Sequence, residues 1–303
     1  MSSQAPLAFP RLALAVIGDE IGPSLEEMIS FCHEHQITRL DMRTLGGRNL
    51  LGMTLDEVAG VARTLEKAGL TVPTLVSPLL KWQAPGRASH GGKVDFAFDP
   101  ADCPGDDPLV HAFDMAVVLG AERIRVFSYL TYEGHKPSDL FGSYERLIDL
   151  AATYSITVEI ENEPVCNMAT IGDLADFFDS LAAAMAPSPL GLWLRPLVDI
   201  GNAWAIDRPP SDAEIAALAP RVDQIHLKDR DTKARKTVPL GDGDVPWADE
   251  LRRLLGEVGR AEKGAKEILA CIETHCPADA REATSRSVKA LRRIAEDQGL
   301  ELV

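Results

Sequence analysis

The chain of 303 residues has no apolar run near the roughly 20 residues that a membrane-spanning helix needs. Its first residues, MSSQAPLAFPRLALAVIGDE, lack the basic start and long apolar core of an export signal. Cysteine is sparse and poorly spaced. Cys32, Cys103, Cys166, Cys271 and Cys276 form no CxxC or zinc-ribbon pattern, and their odd count and scatter favour a reducing compartment. Positive charge is the other shortage, since 31 basic residues against 46 acidic ones leave a formal charge of −15. A surface this acidic repels phosphate backbones and anionic lipid. The densest basic stretch, Lys228 to Lys236, is broken by Asp229 and Asp231. These absences predict a cytoplasmic protein with a small-molecule substrate and no nucleic-acid or membrane partner. A locally bound anion such as a sugar phosphate stays compatible.

What is present is an ordinary globular balance, 46% hydrophobic and 25% charged, enough to bury a large core. Short β-like runs alternate with helical patterns throughout. The runs are Leu12 to Ile17, Arg39 to Arg43, Leu70 to Val76, Arg123 to Phe127, Ile156 to Glu161, Leu192 to Asp199, Val222 to Leu227 and Ile268 to Glu273. Helices are expected to start at Pro23-Ser24 and near Thr54, where Thr54 and Glu57 have capping-box spacing. Amphipathic stretches run from Leu109 to Leu119 and from Ile171 to Met185. Strands separated by helices pair in parallel, because each return crossover needs a helix. Eight such units predict an α/β fold, a (β/α)8 TIM barrel in one domain over residues 1–303. An open doubly wound sheet is the alternative, disfavoured because no GxGxxG or GxxxxGK[ST] follows the first strand. Two long loops, Lys81 to Asp107 and Asp229 to Trp247, follow strands on the side where barrels place their sites.

Buried parallel strands normally read as near-continuous Val, Ile and Leu. Four strands in the second half instead end in a metal-capable side chain: Glu161 in ITVEIENEP, Asp199 in LWLRPLVDIGN, His226 in VDQIHLKD and Glu273 in ILACIETH. In a closed barrel these ends converge, and three carboxylates around one point repel. Either some carry protons or a divalent cation neutralises them. Three carboxylates and an imidazole suit Mn2+, Mg2+ or Co2+ better than a thiolate-seeking ion, with Zn2+ also admissible. Unrelated ion pairs at each strand end are the structural alternative. Glu159 shares the strand face of Glu161 and is the fallback ligand.

The segments ENEP at 161–164, DIGNAW at 199–204, IHLKD at 225–229 and IETH at 272–275 resemble the sugar phosphate isomerase/epimerase family of xylose-isomerase-like barrels. In the N-terminal half the resemblance rests on strand order and on DMR at 41–43. It implies one divalent metal, Mn2+ first, held by Glu161, Asp199, His226 and Glu273. It also implies that Glu161 and Glu273 shuttle the substrate proton, and that the chain can form a homodimer. Apurinic endonucleases of the same superfamily need extra histidines. Here the earlier strand ends read LVSP and RVFSY, and Asn202 stands where one of those histidines would be.

The expected reaction removes a proton beside a carbonyl, giving isomerisation, epimerisation or, with loss of a β-hydroxyl, dehydration. A metabolite sensor without chemistry is the non-enzymatic alternative. Candidate substrate contacts are Asn202, Trp204, Lys228, Asp229, His275 and Arg43. Lys228, taken as adjacent to His226, is expected to point away from the barrel centre and either to bind a substrate oxygen or phosphate or to pair with a neighbouring acid, while Asp229 and His275 are expected to face the rim. Arg43 anchors an anion or forms a salt bridge to Asp41 or another rim acid. Trp204 is preferred to Trp82 and Trp247 as an aromatic face for a sugar. Cys166, Cys271 and Cys276 are expected to be bystanders, since hard cations prefer oxygen.

Overall fold

The computed structural model describes residues 9–89, 98–185, 192–261 and 266–303. Eight strands form one parallel sheet: β1 (Arg11–Ile17), β2 (Leu40–Asp41), β3 (Thr74–Val76), β4 (Arg123–Val126), β5 (Thr157–Glu161), β6 (Leu194–Asp199), β7 (Gln224–Leu227) and β8 (Glu267–Ile272). Their order is β2-β1-β8-β7-β6-β5-β4-β3. Parallel bridges between Arg39 and Thr71 and between Met42 and Leu75 join the two ends of that sheet. The eight-stranded barrel expected from the alternation is therefore present, with a loose seam at β2 and β3. The seam has a local cause. Pro73 offers no N–H to a ladder, so the regular part of β3 begins only at Thr74.

The short β2 pairs with β1 only at Val16 and Ile17. It leaves the start of β1 with an open edge, which the chain's last residues cover. Leu12 N–H donates to Glu301 O, and Val303 N–H donates to Leu12 O, both at 2.8 Å. An exposed backbone edge is thereby closed.

Helices α1 (Leu25–Glu34) and α2 (Leu55–Lys67) begin with full capping boxes, Ser24 with Glu27 and Thr54 with Glu57. A cap of this kind contributes about 1 kcal/mol. The ring continues through α3 (Pro108–Leu119), α4 (Phe141–Tyr154), α5 (Ile171–Met185), the short α6 (Ile200–Ala205), α7 (Asp212–Leu218), α8 (Trp247–Ala261) and α9 (Ala280–Gln298). Among the described residues no helix is long and apolar enough to cross a membrane.

Strand parity divides the core in two. Leu12, Leu14, Val16, Ile268, Ala270 and Ile272 join the large layer between sheet and helices. Ala13, Ala15, Ile17, Val76, Leu269 and Cys271 form a separate small cluster on the opposite face of the strands. That second face is the barrel interior. Asp41, Glu159, Glu161, Asp199, His226 and Glu273 fall on it by the same alternation. Small alanines on β1 leave these long polar side chains room inside the barrel.

Candidate metal centre

Glu161 is the last residue of β5, Asp199 the last of β6, His226 the third of β7, and Glu273 follows β8 directly. Asp199 and His226 are register partners across β6 and β7. All four side chains are buried, and each offers a ligand atom within 4.8 Å of the others. His226 Nδ1 lies 3.3 Å from Glu161 Oε1 and 3.2 Å from Glu273 Oε2. Asp199 has a second task. Its Oδ1 accepts the Asn202 N–H at 2.8 Å and so caps α6. Gly201 lies inside that turn, where a Cβ would overlap the Lys228 carbonyl oxygen.

Each carboxylate faces a cation supplied by the chain. Arg125 Nη1 donates to Glu161 Oε2 at 2.6 Å, and Arg43 Nη1 donates to Glu273 Oε1 at 2.8 Å. Lys228 Nζ lies 3.0 Å from Asp199 Oδ2 and 2.8 Å from Glu273 Oε2. Burial raises the Glu161 carboxyl, but the His226 and Arg125 charges outweigh it and hold it well below the usual range. Burial likewise opposes ionisation of Glu273, and Lys228, then His275 and His226, overcome it. Burial lifts Asp199 to about 6 against the pull of Lys228, with Glu161 and Glu273 adding repulsion. Burial disfavours a charged imidazole, yet Glu161 and Glu273 raise His226 to about 10.

The donor set fits a divalent cation. Three carboxylates and one imidazole from four adjacent strand ends are the hard, mixed O and N ligands that such ions take. Among the described residues, Asp199 Oδ2 and Glu273 Oε2 are buried and accept no hydrogen bond of good geometry. Glu161 and Glu273 each bring a carboxylate oxygen to within 3.3 Å of His226 Nδ1, so the pocket favours positive charge between them. Glu159, the fallback ligand, stands outside this group. It is fully buried, with Arg123 Nε 3.5 Å away.

The remaining candidates divide between rim and scaffold. Lys228 points into the cluster, contrary to the expectation, because it lies two residues after His226, not one, and so shares the inward parity of that residue. Asn202 accepts from Lys228 Nζ at 3.2 Å, and its Nδ2 donates to Asn162 O at 2.9 Å. His275 Nε2 lies 3.1 Å from Glu273 Oε1, at the partly exposed edge of the site. Arg43 pairs with rim acids Asp19, Glu20 and Glu273, and Asp41 is not among them. Asp229 turns aside. Its carboxylate accepts the backbone N–H groups of Gly241, Gly243 and Val245 at 2.8, 3.2 and 3.2 Å. It thereby anchors the loop that carries a hairpin of Asp229–Asp231 with Lys236–Val238. Trp204 Nε1 donates to Glu250 Oε1 at 3.3 Å, so its polar edge faces α8. Part of the Lys81 to Asp107 loop, residues 90–97, lies outside the described residues.

Two residues of the site were not singled out in the sequence. Arg125 carried a readable signal, an arginine on the interior parity of a buried strand reading RIRV. Glu20 carried almost none. It sits in a short turn after β1, where it accepts from Arg43 Nη2 at 2.6 Å, Thr274 Oγ1 at 2.7 Å and His275 N–H at 2.9 Å.

Residues 40–294 match the family model described as xylose isomerase-like TIM barrel. Solved structures share the fold. The IOLI protein with a bound zinc atom superposes with TM-score 0.67 and 14% identity over 94% of this chain and 98% of that one. The 3-keto-D-glucoside 4-epimerase YcjR from E. coli gives 0.63 and 12%, over 94% of this chain and 100% of that one. The probable 3-DHS dehydratase AsbF from Bacillus anthracis gives 0.61 and 15%, over 93% and 98%. At such identities the likeness is one of fold. No curated protein matches the chain.

Proposed function

The chain belongs to the xylose isomerase-like TIM barrel family, and on that premise we propose that it is a divalent-metal-dependent isomerase or epimerase of a sugar or related hydroxy-carbonyl compound. The observation that carries this reading is the gathering of Glu161, Asp199, His226 and Glu273 at four consecutive strand ends. A divalent ion held by these residues, Mn2+ by preference, supplies Lewis acidity toward a carbonyl and its neighbouring hydroxyl.

The chain's own groups do the rest. Glu161 and Glu273 approach His226 Nδ1 at nearly equal distances from β5 and β8. Two carboxylates on either side of one substrate carbon suit a reaction in which one removes a proton and the other returns it. Both are held ionised by neighbouring cations, so either can serve as the base. Return to the opposite face inverts the centre, and return to the adjacent carbon moves the carbonyl. On this reading Lys228 and Asn202, which are hydrogen-bonded to each other beside Asp199, would hold substrate oxygens, and His275, beside Glu273, would meet the substrate at the mouth of the site. Burial of the whole group limits access of water to the carbanion.

The test is solvent-proton exchange. Incubation in D2O with Mn2+ and a panel of ketoses and inososes should give deuterium at the carbon beside the carbonyl, together with an isomer or epimer. Water loss without an epimer would replace this reading by that of a dehydratase. Binding without turnover would replace it by that of a sensor. Glu273→Gln should lower turnover by at least about 100-fold, the usual contribution of a general base, while the circular dichroism spectrum stays that of the wild type.

A further inference from the structure

The three cations around the ligand set are not equivalent. Arg43 is fixed on its far side by Asp19 and Glu20 at 3.0 and 2.6 Å. Arg125 is fixed by the Ser77 carbonyl at 3.0 Å and lies over the Phe127 ring at 4.1 Å. Lys228 has no comparable anchor. Among the described residues, every hydrogen-bond or ion-pair partner of its ammonium belongs to the site: Asp199, Glu273 and Asn202. It is 2% exposed, so water does not share its charge. It faces Asp199 Oδ2 and Glu273 Oε2, the same two oxygens that lack a well-formed hydrogen bond.

An ammonium cannot ligate a metal, and it competes for the lone pairs an ion needs. A lysine on a flexible stem can withdraw from such a contact, whereas a forked guanidinium held on several sides cannot. From this asymmetry we propose that Lys228 is a resident counter-cation of the centre. It balances Asp199 and Glu273 when no ion is bound and gives up that contact to the incoming ion. On release it moves toward Asn202, where it can meet a substrate oxygen. The inference rests on the proposed metal site and assigns a role to a residue that is not a ligand. It implies that the chain sacrifices some metal affinity to keep the empty centre from repelling itself apart.

The experiment uses metal-stripped full-length protein, Mn2+ alone as probe, and the variants Lys228→Met and Lys228→Gln. Calorimetric titration should show Mn2+ binding to both variants at least about tenfold more tightly than to the wild type, because the competing charge is gone. In chelator both variants should melt about 5 °C or more below the wild type, since removing one partner of a buried pair strands the other. Saturating Mn2+ should abolish that deficit. A variant that folds only with Mn2+ supports the same conclusion. Affinity equal to or weaker than that of the wild type overturns it, and so does failure to fold in both conditions. If the wild type itself binds no Mn2+, the reading of the centre falls and takes this inference with it. Tight wild-type binding with unchanged variants overturns the inference alone.

Discussion

Glu159 and Glu161 lie two residues apart on β5, point to the same interior face and are both sealed from solvent. Their carboxyls are nevertheless driven in opposite directions. Burial pushes Glu159 up to about 8, with Arg123 only partly opposing it. Burial presses equally on Glu161, but His226 and Arg125 reverse the outcome. The difference is one of partners and depth. Around Glu161 the barrel supplies a cation at hydrogen-bond distance for each carboxylate. One layer deeper, among the described residues, it supplies Glu159 with only an offset guanidinium at 3.5 Å. Burial alone therefore does not define a reactive carboxylate. A charged, ligand-competent group needs both low dielectric and a paired opposite charge.

The sharpest way to break this comparison is to neutralise each glutamate in turn. Glu161→Gln should weaken Mn2+ binding by more than about 100-fold, beyond the range typical of residues that merely support a ligand. Glu159→Gln should leave it within about threefold, because its carboxyl is already protonated over most of the working pH range. Calorimetric titration of both proteins decides the matter, and equal losses would merge the two layers into one site. Removing the partner is the next largest perturbation. Arg125→Leu strands the Glu161 charge and should cost about 3–5 kcal/mol in urea unfolding with chelator present. A loss under about 1 kcal/mol would mean that the guanidinium does not set the contrast.

A smaller effect separates the layers by pH. The Glu159 carboxyl has a folded value near 8 against an ordinary 4.5, so between these limits the folded state holds a proton that the unfolded chain has released. Stability from this group is fully present below about 4.5 and is lost as pH rises toward 8. Urea midpoints across that window should fall in the wild type and fall less steeply in Glu159→Gln. Identical slopes would show that Glu159 is ionised in the folded protein.

Much of the fold was legible because its signals are local. Capping at Ser24 and Thr54 lies within four residues, and the strand runs were bounded by recognisable helix starts. The four strand-end ligand candidates were legible because a carboxylate or an imidazole in a buried strand contradicts its surroundings. Direction just past a strand's end was legible too, but only with the right count. Lys228 lies two residues after His226 and shares its inward parity, whereas Asp229 has the outward parity and turns to its own loop, so both expectations were one residue out of step. Glu20 was illegible because its three partners are contributed by Arg43, just after β2, and by the segment after β8, far away in the chain. Trp204 was read as an aromatic face for a sugar, and the bond of its indole N–H was not legible because the accepting glutamate lies on α8, 46 residues later.

The mildest test concerns Asp41, the other acid of the deep layer. Burial raises its carboxyl to about 6. Its Oδ1 accepts the Thr74 N–H at 2.9 Å, and its Oδ2 accepts from Gln224 Nε2 at 3.2 Å. Gln224 in turn accepts from Thr74 Oγ1 at 2.8 Å. Asp41→Asn keeps the oxygen that Thr74 N–H needs and places an NH2 where Gln224 expects an acceptor. Rotation of the Gln224 amide by half a turn restores the pairing, with the Thr74 hydroxyl then accepting, so no buried polar group is stranded. The expected loss is about 1 kcal/mol or less, with Mn2+ affinity unchanged. Because the replacement cannot ionise, stability should also become flatter with pH between the ordinary value of 3.8 and about 6. A loss as large as that of Arg125→Leu would show that the deep layer, like the rim, depends on a fixed charge and that the contrast along β5 does not extend around the barrel.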